Sequence, residues 1–150
     1  MYGLVPYNIS PIQQGIQFGH AVVEYGLFHK GDVYDTWALH DKTFVILNGG
    51  TTNKSMTRIG TSNGAPKGTL NQHVDSLIDL GIKASCFYEP DLGDQLTAVV
   101  FLLDERVWDR EKFPDPDEGF EFDETYEEMW GWDWKKILEK RKFISQFRLA

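Results

Sequence analysis

Cysteine is nearly absent from this 150-residue chain, which contains only Cys86. A single cysteine cannot form a disulfide within the chain, and it excludes a cysteine-ligated metal cluster. Because Cys86 lies in the apolar run SCFY, we interpret it as an inert buried thiol and not as a nucleophile. This cysteine usage is typical of a reducing compartment.

Long apolar runs are also missing. No stretch approaches the ~18 residues that a membrane-crossing helix needs. The first residues, MYGLVPYN, lack the basic segment followed by a long apolar segment that marks a secretory leader. We therefore expect a soluble cytoplasmic protein with no membrane partner.

Positive charge is scarce, and its distribution is uneven. Residues 1–103 carry a formal charge of −3, residues 104–128 carry −9 and residues 129–150 carry +4, in agreement with the total of −8. Nucleic-acid-binding proteins usually show the opposite balance, because they must attract a polyanion. Extended contact with RNA is therefore disfavoured.

The hydrophobic pattern predicts one small α/β domain, because strand-like and helix-like segments alternate along the chain. We expect a mixed four-stranded sheet with helices on both faces, in which the apolar run TAVVFLL forms a central strand. The predicted elements are a strand at 4–7, helices at 11–28 and 32–41, a β-rich run that ends at Asn48, a helix at 70–80, and strands at 84–88 and 97–103.

The charge and composition change near residue 104, which predicts three segments. Residues 1–104 form the α/β domain, residues 105–124 an acidic connector rich in proline and glycine, and residues 125–150 an aromatic and basic helix. Trp130 and Trp134 share one face of that helix, which indicates an interface or a packing seam and not a ligand-stacking cage. We expect the aromatic helix to be exposed and to support self-association, most simply as a dimer.

The first helix has the clearest signals at its start. Ser10 is a good N-cap, and Pro11 suits the first helical position. Four apolar residues recur at helical spacing and predict a buried stripe: Ile12, Ile16, Val23 and Leu27. Gly15 and Gly19 are unfavourable inside a helix, which suggests close approach of another backbone.

Two polar clusters are candidates for a site. Gln17 and His20 are neighbours on the surface of the first helix. The loop at residues 49–69 is rich in glycine and hydroxyl groups and contains cations but no acid, a composition that suits a phosphate-bearing or sugar-bearing ligand. The candidate ligand-binding residues are Gln13, Gln17, Asn48, Thr51, Asn53, Lys54 and Arg58.

Two short motifs give a resemblance to a known family. QFGHA at residues 17–21 resembles the AQxxHA segment of the type 2 (archaeal and eukaryotic) peptidyl-tRNA hydrolases. SCFYEPDLGDQLTAVVFL at residues 85–102 is similar to the strand, acidic loop and final strand of that family. The resemblance covers roughly the first 104 residues and implies hydrolysis of the ester that joins a peptide to tRNA. The catalytic candidates that it implies are His20, Gln17, Thr97, and Glu89 or Asp91 in place of the family aspartate.

The chain also departs from this family. Gln13 occupies the position of the family's catalytic lysine, and an amide cannot supply positive charge to a developing oxyanion. The shortened EPDL loop resembles that of divergent, partly phage-borne members, which suggests a repurposed scaffold.

Three functions follow from these observations. The favoured hypothesis is a catalytically divergent protein that binds a compact nucleotide-type ligand, in a phage setting a host signalling nucleotide, without a cofactor or metal. The first alternative is peptidyl-tRNA hydrolysis, with the tRNA 3′ end as partner and His20 or a carboxylate as base. The second is a protein–protein adaptor that acts through the C-terminal helix. The carboxylates Glu89, Asp91 and Asp94 also suit a simple polar turn or oxygen-only metal ligation.

Overall fold

The computed structural model of the chain describes residues 1–52, 68–116 and 124–150. The chain divides into two compact units, the first containing Met1–Leu102 with Phe147–Ala150 and the second Leu103–Gln146. Three predicted ligand-binding residues, Asn53, Lys54 and Arg58, lie outside the described residues.

The first unit has the predicted order of strands and helices, with bounds that shift by a few residues. Its elements are β1 (Tyr2–Pro6), α1 (Pro11–Phe28), α2 (Asp32–Thr36), a π-helical turn (Trp37–Asp41), β2 (Val45–Gly50), α3 (Thr69–Asp79), β3 (Ala84–Glu89), a 3₁₀ turn (Pro90–Leu92) and β4 (Gln95–Phe101).

The four strands form one mixed sheet in the order β2–β1–β4–β3, so the predicted α/β fold class is confirmed. Strand β1 is parallel to β2, and β4 is antiparallel to both of its neighbours. Every residue of β4 is buried, as expected of a central strand. The C-terminal residues return to this sheet, where Arg148 and Ala150 hydrogen-bond to the backbone of β2. They cover part of an otherwise open strand edge.

Helices cover both faces of the sheet. On one face, Phe18, Ala21 and Tyr25 of α1 pack with buried residues of β1 and β4. Gly3 makes this packing possible, because a Cβ at that position would overlap the ring of Phe18. Leu4 points to the opposite face of the sheet. There Leu4 and Leu70 of α3 are both fully buried beside Gly49.

Helix α1 starts as predicted, but it packs on the sheet with a different side from the one predicted. Ser10 caps it through a capping box with Gln13. The four residues expected to be buried are instead 51–77% exposed: Ile12, Ile16, Val23 and Leu27. We call these four residues the outer stripe. The prediction was wrong because α1 has apolar residues on two sides, and periodicity alone does not indicate which side faces the sheet.

The predicted role of two glycines in α1 is also wrong within the described residues. A Cβ at Gly15 or Gly19 would meet no atom within 4 Å. Both glycines lie next to the outer stripe and face away from the sheet.

The described residues of the second unit form three helices: α4 (Glu105–Trp108), α5 (Glu124–Trp130) and α6 (Trp134–Ser145). The single helix predicted for residues 125–147 is therefore two helices. They are separated at Gly131, whose φ of +88° is a conformation that favours glycine.

The core of the second unit corrects two expectations. It consists of Val107, Phe113, Trp130 and Ile137. Trp130 is completely buried, so it belongs to a packing seam and cannot present a surface to a partner, as the predicted exposed helix required. The described part of the predicted connector contributes α4 and Phe113 to this core and is not simply an exposed linker.

Among residues 1–52, 68–116 and 124–150, no helix has the length and apolar character needed to cross a lipid bilayer.

Candidate functional site

The candidate site lies where several strands of the first unit end. Strands β1, β2 and β3 all run in one direction, because β4 is antiparallel to β1 and β3 and β1 is parallel to β2. Their carboxyl ends, the start of β4 and the first turns of α1 therefore share one edge of the sheet. In open α/β sheets, ligands bind outside this edge.

A β-bulge in β4 positions Thr97. Phe87 of β3 is paired with Ala98 and Tyr88 is paired with Leu96, so Thr97 has no partner residue opposite it. Bulges of this kind redirect side chains, often beside functional sites. Here the bulge turns the hydroxyl of the fully buried Thr97 toward α1.

Gln17 links this hydroxyl to a carboxylate. Oγ1 of Thr97 donates a hydrogen bond to Oε1 of Gln17 at 2.6 Å. Nε2 of Gln17 donates to Oε2 of Glu89 at 2.8 Å. A carboxylate only accepts hydrogen bonds, so this contact determines which end of the amide faces each partner. We call Gln17, Thr97 and Glu89 the Gln17 network.

Glu89 remains ionised in this network. The hydrogen bond from Gln17 lowers the pKa of its carboxyl group, with smaller contributions from the backbone N–H of Asp91 and the charge of His20. The backbone N–H of Asp91 donates to Oε1 of Glu89 at 3.2 Å. Asp91 itself is an exposed residue. Of the two carboxylates proposed to replace the family aspartate, Glu89 is the one that contacts Gln17.

His20 lies beside the network. Its imidazole ring stacks on Phe87 with a centroid separation of 4.6 Å and an angle of 19° between the ring planes. His20 is an exposed residue, so part of its surface is open to solvent. Phe87 was not among the predicted site residues, because an apolar residue in a strand has no sequence signal that separates a platform from core packing.

Other predicted site residues do not join the network. The side chain of Gln13 accepts hydrogen bonds from the backbone N–H and the hydroxyl of Ser10, and it therefore serves the helix cap. Asn48 and Thr51 belong to β2 and the residues after it, at the same edge of the sheet. Strand β2 is three strand spacings from β3, or roughly 14 Å.

Asn48 and Thr51 make local hydrogen bonds. Oδ1 of Asn48 accepts from the N–H of Gly50 at 2.8 Å, and the N–H of Thr51 donates to Oγ1 of Thr69 at 2.7 Å. The first contact lies within β2, and the second joins the residue after β2 to the start of α3. The two predicted binding clusters are thus separate in the described part of the chain.

The chemistry available at the Gln17 network is that of hydrogen bonding. Among the described residues, no Lys or Arg side chain hydrogen-bonds to Gln17, Thr97 or Glu89. In the same residues, no group of three His, Cys, Asp or Glu side chains is arranged to hold a metal ion.

Cys86 lies in β3 close to this site, and its reactivity can be predicted. The residue is only partly buried, but desolvation of the thiol raises its pKa to about 11. At neutral pH the thiolate fraction of the folded chain is expected to be ~100-fold below that of an unperturbed thiol. Alkylation by iodoacetamide should therefore be about 100-fold slower in the folded chain than in urea. Equal rates would contradict this expectation.

Comparison of the chain with protein-family models, curated proteins and solved structures gives no match. Its function is therefore inferred from the residues of the site.

Proposed function

We propose that this chain binds a compact nucleotide-type ligand at the Gln17 network and is not an efficient ester hydrolase. The supporting observation is that the amide of Gln17 is engaged at both ends by the protein itself, by Thr97 at Oε1 and by Glu89 at Nε2. An amide held in this way is well suited to orienting a carboxylate for recognition.

Ester cleavage would require a different set of groups. A developing oxyanion is stabilised by donors or cations aimed at it, and loss of one such donor typically costs ~100-fold to 1000-fold in rate. Gln13 supplies no charge and is occupied at the helix cap. The Gln17 carbonyl is an acceptor, and one Nε2 proton is already given to Glu89.

The exposed chemistry of the network suggests which part of a ligand it would contact. The ionised carboxylate of Glu89 accepts hydrogen bonds, so it would pair with the hydroxyl groups of a ribose or the amino group of a base. The stacked rings of His20 and Phe87 offer a flat surface next to it. Phosphate groups would lie away from this carboxylate, because like charges repel.

The family resemblance supports the proposal that the chain is a divergent member of the type 2 peptidyl-tRNA hydrolase superfamily. Gln17 and His20 come from one of the two similar motifs, and Glu89 and Thr97 from the other. All four lie together in the first unit. In a phage setting, such a protein would sequester a host signalling nucleotide.

Glu89→Gln is the variant that tests the proposed site. A hydrogen bond to a charged group contributes ~1.5–3 kcal/mol, so we expect nucleotide affinity to fall ~10-fold to 100-fold. The measurement is isothermal titration with the ribonucleotide that most raises the melting temperature in a thermal-shift screen. A ligand at 100 times its Kd would add ~2.7 kcal/mol to the free energy of unfolding.

Asp94→Asn is the matched control, because it removes one negative charge from the same acidic loop. Asp94 contacts Glu89 through its backbone N–H, which the substitution keeps. We expect it to leave the affinity unchanged. An equal loss in both variants would indicate a general charge effect and contradict the proposed site. The absence of any thermal shift with nucleotides would contradict the proposed function.

One observation favours peptidyl-tRNA hydrolysis as a second candidate. His20 lies near enough to Glu89 for its charge to lower the pKa of that carboxyl group, and such a pair is suited to acid–base chemistry. Incubation with a peptidyl-tRNA analogue tests it. Turnover that is lost in His20→Ala and raised in Gln13→Lys would favour the hydrolase over the binding protein.

A further inference from the structure

The solvent-facing side of α1 differs from an ordinary protein surface. A quarter of the residues in the chain are charged, yet α1 contains only one, Glu24, and that residue is partly buried. The exposed positions of the helix are all uncharged or apolar at neutral pH, apart from the titratable His20. They include the outer stripe of Ile12, Ile16, Val23 and Leu27, together with Gly15 and Gly19.

The outer stripe is also symmetric about the middle of the helix. Ile12 and Leu27 are equally far from the midpoint between residues 19 and 20, and so are Ile16 and Val23. If two α1 helices pair antiparallel about a two-fold axis at this midpoint, Ile12 meets Leu27 of the other copy and Ile16 meets Val23. A two-fold interface needs this kind of self-complementary surface.

Gly19 suits the centre of such a pair. A Cβ there would meet nothing within 4 Å, so the glycine is not required for packing within the described residues. Helix axes normally pack ~8–10 Å apart, and small residues at the crossing point permit the closest approach. The apolar side chains on either side of Gly19 would then fill the space around it.

We infer that the outer stripe of α1 is the interface of a homodimer formed by antiparallel pairing of two α1 helices. Two copies that each carry a net charge of −8 repel one another. An uncharged apolar face is where this repulsion is weakest and where apolar burial favours association. An oppositely charged partner would find no charged group on the outer stripe to pair with.

This inference does not depend on the proposed function. Gln17 lies on the buried side of α1, about a third of a turn from the outer stripe, and the residues that line the stripe take no part in the Gln17 network.

Val23→Glu tests the inference in solution. At raised protein concentration we expect the unmodified chain to have a mass of twice 17.3 kDa by light scattering, and Val23→Glu to have the monomer mass. Because the interface is two-fold, one new carboxylate from each copy would be buried in it. The dimer Kd should therefore rise at least ~100-fold. Because Val23 is 63% exposed, the melting temperature of the monomer should change little.

Ile78→Glu is the matched control. Ile78 is 68% exposed on α3, and the substitution changes the total charge by the same amount. We expect it to leave the dimer intact. A chain that is monomeric at every concentration overturns the inference and leaves the face to a different partner. A dimer that survives Val23→Glu, or dissociates equally in Ile78→Glu, overturns it as well.

A cross-linking experiment gives a second readout. With oxidised glutathione as oxidant, Gly19→Cys should form a covalent dimer, because the two thiols would lie next to the two-fold axis within disulfide reach. Ile78→Cys should not do so. The unmodified chain controls for Cys86. Cross-linking that is equal in the two variants would contradict antiparallel pairing through α1.

Discussion

Arg141→Ala is expected to unfold the second unit while the four-stranded sheet stays folded. Arg141 is 3% exposed, and its guanidinium lies 4.2 Å from the centre of the Trp130 ring. Nε donates to the carbonyl of Arg106 at 2.8 Å, Nη2 donates to the carbonyl of Phe113, and Nη1 pairs with Asp115 at 2.7 Å.

The size of the effect follows from burial. Truncation of Arg141 leaves two carbonyl oxygens without this donor and removes the packing over Trp130. Leaving a buried acceptor without its donor typically costs ~1–3 kcal/mol, and two acceptors are affected. Asp115 is 51% exposed, so loss of its ion pair adds little. A unit of this size has a free energy of unfolding of only a few kcal/mol, because small cores bury little apolar surface. The loss is therefore comparable to the whole stability of the unit.

Tryptophan fluorescence mainly reports unfolding of the second unit, because four of the five tryptophans lie there and only Trp37 lies in the first unit. Arg110→Ala is the control. Arg110 also pairs with Asp115, but both side chains are 51% exposed, and exposed ion pairs contribute ~0–1 kcal/mol. Equal fluorescence midpoints for the two variants would rule out the structural role given to Arg141.

Gln17→Leu is expected to lower the free energy of unfolding of the first unit by ~1–3 kcal/mol, the cost of leaving a buried polar group without its partner. Leucine is close to glutamine in size but leaves the Thr97 hydroxyl without Oε1 and the Glu89 carboxylate without Nε2. Urea denaturation followed by circular dichroism measures the change. Gln13→Leu, one turn earlier in the exposed cap, should cost less than ~1 kcal/mol.

A double variant separates a lost hydrogen bond from lost packing. In Gln17→Leu/Thr97→Val both polar partners are replaced by apolar groups of similar shape, which is less costly than leaving one unpaired. The double variant should therefore be more stable than the sum of the single effects predicts. Simple additivity would show that the two side chains are not coupled.

The pH dependence gives an independent check of the same network. The pKa of Glu89 is lower in the folded chain than its ordinary value, so the ionised carboxylate stabilises the fold above its unfolded-state pKa. This contribution is lost as the pH falls through the folded-state pKa. The stability difference between the unmodified chain and Gln17→Leu should therefore narrow in acid. A constant difference down to acid pH would indicate that Glu89 takes no part.

Part of the candidate site could be predicted from short sequence motifs. Gln17, His20, Glu89 and Thr97 were predicted from residue type and resemblance, and they lie together in the first unit. The choice between Glu89 and Asp91 was not predictable, because both belong to one acidic turn. In the structure Gln17 donates its hydrogen bond to Glu89, and no sequence rule locates the bulge at Thr97 that makes the contact with Gln17 possible.

Local physical chemistry was sufficient for the elements of the first unit and their class. Ser10 and Pro11 start α1, Gly81 ends α3 with a φ of +68°, and a continuous apolar run becomes the buried β4. These signals depend on residues that are close in the sequence, so they can be recognised without knowledge of the tertiary structure. The sequence did not determine which side of α1 is buried, because both of its apolar sides satisfy the same periodicity. Only the fit of Phe18 against Gly3 and β4 selects one side. The same holds for Trp130, because burial is a property of the packed unit and cannot be read from one helix alone.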